Sequence, residues 1–503
     1  MVIPQTIVKV YRDIPWNKDY KHTYWFTAKT AQDNYFASKL RYSFTDFTYV
    51  RQTGVIRVPK KADDLFDCNY ISFLNVGYGN KLFYAFITKI EYVNDETSYI
   101  SFELDYIQTW LFELEVKQCF VEREHVADDT FGIHTVPEGL PIGSYIVNVD
   151  DTVTKLYPKT PSGWKLIIQA VPDDTVQGQS RGSMIGALYT GSEFFVKSGN
   201  DYNVTTISAF IDTLIQGREK IVAMYCVPDE WSDTAPETQI IGSGKGNNLN
   251  GYVPKNNKLF CYPYNFCEIS SSDGDKVDIL FEDEDQGHAG TFYLKTSILN
   301  GGQAILYPYA YKLDLNSFNK YCVTLSNPAQ CIFSESSYLE YVHSDGIYNS
   351  IKGVANTFVT STTVGGPLGG LVGLAKGLLM DMPWDLNTAE AKPDQVRVAE
   401  PKSVLAINKQ QYGFRIDRIS IKAEYARLID DYFTRFGYKV MVNKIPELTS
   451  RQYFNYVKTV NATIGGNISQ EAETKICEIF DSGITLWHTA DIGNYSVNNA
   501  IVG

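Results

Sequence analysis

Two runs in the first quarter of the chain, Lys81–Val93 and Thr97–Ile107, are rich in aromatic and β-branched residues. In the second, Ile100, Phe102, Leu104 and Tyr106 fall on one side and Tyr99, Ser101, Glu103 and Asp105 on the other. That alternation predicts a strand with one wetted face. The polar loop Asn94-Asp95-Glu96 between the runs predicts a hairpin, and Gly77-Tyr78-Gly79-Asn80 before them tolerates positive φ. Residues 1 to about 125 therefore read as strands joined by tight turns. From about 126 to 340 loops lengthen and turn residues cluster, as at 241–248 and 299–302, predicting an irregular β domain or two small ones. No repeat of fixed period is visible.

Near the C-terminus the period becomes helical. Ile421, Tyr425, Leu428, Ile429, Tyr432 and Phe436 lie on one face, with Gly437 at the C′ position. Arg427/Asp431 and Asp431/Arg435 stand at i,i+4 spacing. A second helix is predicted over Ser469–Phe480, with Ile476, Ile479 and Phe480 inward and Gly483 after it. Tyr438–Asn443, Tyr453–Ile464 and Gly483–Thr489 read as strands. The fold class expected is mainly β with an α+β C-terminal unit.

One stretch breaks this texture. Gly346–Met380 contains eight glycines, and its only charges are Lys352 and Lys376, so Gly353–Ala375 carries none. From Pro367 onward Leu368, Leu371, Val372, Ala375, Leu378 and Leu379 fall at helical spacing, and Gly369, Gly373 and Gly377 form GxxxGxxxG beside them. Small residues so spaced let helices approach closely in a bilayer; Pro367 suits a first turn. Leu374 and Met380 complete this half. The first half, carrying Ile347, Ile351, Val354, Phe358 and Val359, is weaker. Each half is about 13 residues, roughly 20 Å as helix, against a bilayer core of about 30 Å. Neither spans alone, so the stretch reads as an insertion element used in several copies, or as a glycine-rich buried loop at a subunit interface. Asp345, Asp381 and Asp385 flank it; protonation lowers the cost of bringing carboxylates to a membrane, so acid is expected to favour insertion.

Composition narrows the classes. The net charge of −13 argues against a tight grip on duplex DNA, which needs many Lys and Arg contacts, but not against DNA passing through. The eight cysteines include no CxxC pair and read as mostly free, buried thiols. No signal peptide is visible at the N-terminus. Catalytic chemistry finds no support. Gly242–Asn247 lacks the spacing of a phosphate loop. Glu282–Asp285 reads as an exposed turn rather than a glycosidase pair, and Asp273, Asp275 and Asp278 lack EF-hand spacing. The six histidines are scattered, and Cys477 with His488 reads as a core thiol and a structural histidine. No catalytic residue, cofactor or metal site is expected.

The two chain ends resemble a known family. In the N-terminal part the resemblance rests on Ile14-Pro-Trp-Asn-Lys-Asp-Tyr20, Tyr78-Gly-Asn-Lys81, Phe83-Tyr-Ala-Phe86, Gln108-Thr-Trp110, Arg123-Glu-His-Val126 and Glu138-Gly-Leu140. In the C-terminal part it rests on Lys422-Ala-Glu-Tyr425, Phe436-Gly-Tyr438, Phe454-Asn-Tyr-Val457, Gly483-Ile-Thr-Leu-Trp-His488 and Gly493-Asn-Tyr-Ser-Val497. These runs are similar, in order, to the tail knob or distal tail tube family of phi-29-type short-tailed phages. The resemblance implies a homohexameric ring of β-lined tube domains with an irregular β knob. It places tube at 1–140 and 401–503, knob at 141–340, and a channel-plugging, membrane-active loop with its linker at 341–400. It further implies a lower collar or tail connector protein above, a tail-tip protein below, double-stranded DNA in the lumen, and loop entry into the host cytoplasmic membrane during DNA ejection. The protein would reside in the distal tail of the virion after assembly in the host bacterial cytoplasm. The alternative is a receptor- or carbohydrate-binding tail protein without membrane activity, given the 35 Tyr and 7 Trp.

Overall fold

The computed structural model describes residues 6–47, 49–50, 54–75, 79–148, 164–172, 184–185, 188–189, 192–198, 204–216, 219–228, 231, 238–242, 244–298, 302–313, 320–326, 330–333, 396–398 and 413–503. The chain divides into two compact units. The first comprises Met1–Pro141, Pro254–Leu259 and Glu424–Gly503; the second comprises Ile142–Val253 and Phe260–Ala423. The fold is mainly β, as expected.

The main sheet of the first unit runs in the order Leu40–Phe47, Thr6–Arg12, Cys68–Asn75, Lys81–Asn94, Thr97–Leu104, Val55–Val58, Tyr49–Val50. Its two outermost segments, Leu40–Phe47 and Tyr49–Val50, are neighbours in sequence. One stretch of chain thus pairs with Thr6–Arg12 at one edge and Val55–Val58 at the other, and the sheet closes on itself. Closure removes sheet edges that would otherwise template aggregation. The hairpin lies where the alternation put it, and Asn94 Oδ1 accepts from the Glu96 N–H at 2.9 Å in its turn. Ile100 and Phe102 are buried, while Tyr99 and Glu103 are exposed. Asp105 departs from the pattern. It is fully buried, and its side chain caps the helix Tyr106–Trp110.

The helix Lys29–Lys39 was not expected. Only Gln32 and Phe36 are buried on it, too few to register as a period. Phe36 stacks on Tyr70 at 5.5 Å and on Tyr84 at 4.5 Å between ring centroids. A second sheet orders Thr23–Tyr24, Ile484–Trp487, Phe454–Val460, Cys119–Glu124 and Tyr438–Lys444, so strands from both chain ends interleave. Both C-terminal helices are present. Gln470–Ser482 is capped by Ser469, buries Ile476 and Phe480, and ends at Gly483. Ala423–Phe436 ends at Gly437, with Asp431 paired to Arg435 at 3.1 Å.

The inward face of Ala423–Phe436 differs from the expected one. Ala426, Ile429, Asp430 and Phe433 are buried, Leu428 is 69% exposed, and Ile421 belongs to a preceding strand. The cause is Asp430. Its carboxylate accepts from the backbone N–H groups of Lys255 and Asn256 at 2.8 and 3.1 Å, and from Asn256 Nδ2 at 2.6 Å. A satisfied carboxylate occupies the inward stripe, where a hydrophobicity pattern cannot find it.

In the second unit, one four-stranded sheet orders Tyr145–Asn148, Phe414–Ile421, Asn265–Ser271 and Lys276–Ile279; another orders Thr238–Ile241, Thr291–Ser297, Gln303–Pro308 and Val323–Ser326. The third sheet orders Glu193–Lys197, Trp164–Pro172, Glu219–Pro228, Gln330–Phe333 and Val396–Val398. Phe414–Ile421 lies in the second unit, and the first resumes at Glu424. The helix Val204–Gln216, with Ile207, Ile211 and Leu214 buried, was also unexpected. Its start, Val-Thr-Thr-Ile, is β-branched and reads as strand.

Candidate functional site

Every residue assigned to membrane activity, from Ile347 to Met380, lies outside the described residues, as do Asp345, Asp381 and Asp385. The strands on either side are described. Gln330–Phe333 and Val396–Val398 pair antiparallel, with Cys331 facing Val398, Ile332 facing Arg397 and Phe333 facing Val396. The chain therefore leaves this sheet and returns to it at directly opposed residues. The inner strand of the pair is held by Glu219–Pro228 through Ala223/Ile332, Met224/Cys331 and Tyr225/Gln330. On the other side of Glu219–Pro228 in the same sheet, Leu166, Ile167 and Ile168 are consecutive and fully buried, so both faces of the sheet are covered at Trp164–Pro172. The Tyr225 hydroxyl donates to the Ile298 carbonyl. The two strands are thus a base on a packed sheet, with Val396–Val398 at its edge.

The runs that carry the family resemblance converge on buried polar groups of the first unit. The Asp105 carboxylate accepts from the Tyr70 hydroxyl at 2.8 Å, the Gln108 N–H at 3.0 Å, Trp16 Nε1 at 3.3 Å and the Tyr20 hydroxyl at 3.4 Å. Burial pushes its pKa up to about 6 against those four bonds. Glu138, also buried, takes ion pairs from Arg123 and Lys258 and accepts the Lys439 N–H at 3.1 Å. Arg123 Nη1 also donates to the Gly437 carbonyl at 2.6 Å. His125 Nδ1 accepts the Tyr456 N–H at 2.7 Å, and Nε2 meets the Thr434 carbonyl at 3.0 Å, which fixes a neutral tautomer. Burial pushes its pKa down to about 3. These networks tie residues 123–138 to 434–456. Sequence reasoning found the motifs, with Glu138 among them, but missed the buried Asp105 at the centre of the first network. Asp105, standing just before Gln108-Thr-Trp110 in the position of a helix N-cap, was the available signal.

The catalytic candidates are reduced to structure. Glu282–Asp285 is not an exposed turn: Glu284 is buried, accepts the Gly290 N–H at 3.0 Å, and is pushed by burial to about 7. Glu282 accepts the Tyr262 N–H. His488 Nε2 meets Asn455 Oδ1 at 3.1 Å, and burial lowers its pKa to about 4. Gly242 donates to the Gly290 carbonyl at 2.6 Å, which makes the glycine-rich run a packed turn. Cys68, Cys119, Cys261, Cys267, Cys322 and Cys477 are free thiols. Among the described residues no His/Cys/Asp/Glu cluster could hold a metal, and no helix is long and apolar enough to cross a membrane.

Comparison with known proteins decides the family. The profile described as Bacillus phage phi29, Tail knob protein gp9, C-terminal domain matches residues 230–500, more than half of the chain. The chain belongs to the phage tail knob protein family. The Caudoviral major tail protein N-terminus profile matches residues 4–115 of this tail knob chain. The tail knob protein gp9 of Bacillus phage PZA is 27% identical over 597 residues, covering 99% of this chain and 98% of its own length. That of Bacillus phage phi29 is 26% identical with the same coverage. The solved structure of the bacteriophage C1 tail knob protein, gp12, aligns with a TM-score of 0.61 at 14% identity, covering 99% of this chain and 100% of its own, a likeness of fold. This is a structural tail component of a virion.

Proposed function

We propose that the chain is the repeating subunit of a distal tail tube that conducts the genome, and that Gly346–Met380 plugs this tube and enters the host membrane on ejection. The observation that carries the reading is an uncharged stretch, Gly353–Ala375, within chain that leaves and re-enters one sheet at Phe333 and Val396. Opposed ends let such a segment exchange one environment for another without unmaking the sheet beneath it. In this reading tube domains lie at 1–140 and 401–503, the knob at 141–340 and the loop with its linker at 341–400. Six copies form the ring, between a lower collar or connector protein and a tail-tip protein. A net charge of −13 suits a passage that DNA slides through rather than grips. Assembly takes place in the host bacterial cytoplasm. Asp345, Asp381 and Asp385 favour insertion once protonated.

Negative-stain microscopy of the purified protein should show six-fold rings that release dye from liposomes. Deleting Ile347–Leu379 should leave the rings and abolish release. Loss of ring assembly on deletion, or undiminished release, overturns the reading; release that stays flat from about pH 7.5 to about pH 5 removes the acid step.

A further inference from the structure

In the second unit, the sheet Thr238–Ile241, Thr291–Ser297, Gln303–Pro308, Val323–Ser326 has one face explained by the core. Phe292, Ala304, Leu306, Val323 and Leu325 lie on it and are buried. The opposite face of such a sheet ordinarily carries short polar side chains. Here it carries rings. Tyr293, half-buried, faces the buried Tyr307 across the ladder, and the two rings stack at 6.1 Å and 26°. Tyr309 follows two residues on, where its N–H donates to the Thr291 carbonyl at 3.0 Å. Its ring lies 5.4 Å from Tyr293 and 4.5 Å from the His288 imidazole. Ile241, opposite Thr291, is 67% exposed.

The polar groups beside these rings are placed rather than scattered. His288 Nδ1 meets Asp285 Oδ2 at 2.8 Å, and Asp285 also accepts the Gly287 N–H at 3.2 Å. That pairing orients the imidazole and leaves Nε2 as its remaining polar atom. Gln239, exposed, is the register partner of Tyr293.

We propose that this face binds a polysaccharide. A tyrosine offers an apolar ring with a polar tip, and a pyranose offers the complement, an apolar C–H face with a rim of hydroxyls. The half-buried rings of Tyr293 and Tyr309, edged by amide, imidazole and carboxylate, satisfy both parts of the sugar at once. A protein partner would select differently, by an aromatic anchor seated in a desolvated pocket; here Tyr293 and Tyr309 lie against each other and remain half-exposed. The knob would then hold a surface glycan, a role independent of the apolar segment.

The test uses the full chain with purified Bacillus cell walls and a glycan array as probes. The protein should sediment with walls. Tyr309→Ala and His288→Ala should each weaken binding about tenfold, and Tyr309→Phe should change it little. Bound glycan should protect Tyr293 and Tyr309 from nitration by tetranitromethane while leaving Tyr99 of the first unit reactive. Absence of wall or glycan binding by the unaltered chain overturns the proposal. So does unchanged binding by Tyr309→Ala, or an alanine variant that alters subunit assembly and leaves glycan binding intact. Should the alanine variants misfold, the nitration pattern of the unaltered protein decides alone.

Discussion

Asp105→Asn isolates the energetic role of the polar centre of the first unit. The wild-type carboxyl titrates near 6 in the fold against an ordinary 3.8. The folded state holds this proton more tightly than the unfolded chain. The stability it contributes is therefore complete below about pH 4 and is lost as pH rises through about 6. The difference corresponds to about 3 kcal/mol, at a slope of about 1.4 kcal/mol per pH unit. Asparagine keeps the cap on Gln108 and removes the titration. It turns an amide N–H toward one of the donors, Trp16 Nε1 or a tyrosine hydroxyl, at a cost of about 1–3 kcal/mol. The two proteins should thus have similar stability near neutrality, and the wild type should gain on the variant as pH falls. For a unit of this size 1 kcal/mol moves Tm by about 2–4 °C. The difference in Tm, wild type minus variant, should accordingly grow by about 6–12 °C between about pH 7 and pH 4. Calorimetry across that range measures it, and Glu284, His125 and His488, common to both proteins, cancel in the difference. A flat difference would refute the assignment of a buried, proton-holding carboxyl.

Two further sets of substitutions separate geometry from charge. Gly437 has φ +62°, and a Cβ there would lie 2.1 Å from the Glu124 carbonyl oxygen, whereas at Gly493, φ +89°, a Cβ meets nothing within 4 Å. Gly437→Ala should cost about 3 kcal/mol or more in denaturant unfolding and Gly493→Ala about 1 kcal/mol; equal costs would contradict the close approach. Glu138→Gln strands Arg123 and Lys258 together and should cost about 3–5 kcal/mol, read as a lowered urea midpoint. Adding Lys258→Met should recover part of that loss, and strict additivity of the two changes would show that the pair is not coupled.

What was legible in the sequence was whatever periodicity encodes. The hairpin, the glycine-capped helices and the C-terminal strands follow from alternation and turn chemistry, and each lies within a few residues of its expected place. What was not legible depends on long-range partners. Asp430 sits in the apolar stripe of its helix only because Lys255 and Asn256, far off in sequence, satisfy it. Asp105 was placed on the wetted face by its alternation, and Trp16, Tyr20 and Tyr70 draw it inward. The helix Lys29–Lys39 buries a single large side chain, so no moment marks it. The tyrosine face of the second unit was visible only as composition. Its rings come from two strands and a loop, and register alone brings them together.

The two units divide the chain unevenly. The first unit is assembled from both chain ends and one short strap, Pro254–Leu259. The strap is held firmly: besides the Asp430 bonds, Asn257 Nδ2 donates to the Asp129 carbonyl at 2.7 Å and Lys258 Nζ to that of Val136 at 3.1 Å. Everything else between Pro141 and Glu424 is insertion. Closing an insertion whose ends are already paired depends weakly on its length, about 0.6 kcal/mol per doubling. The alignment with the phage PZA relative runs over 597 residues against the 503 of this chain, so the relative carries segments that this one lacks. Stability therefore imposes little on the length of the chain inserted between Pro141 and Glu424.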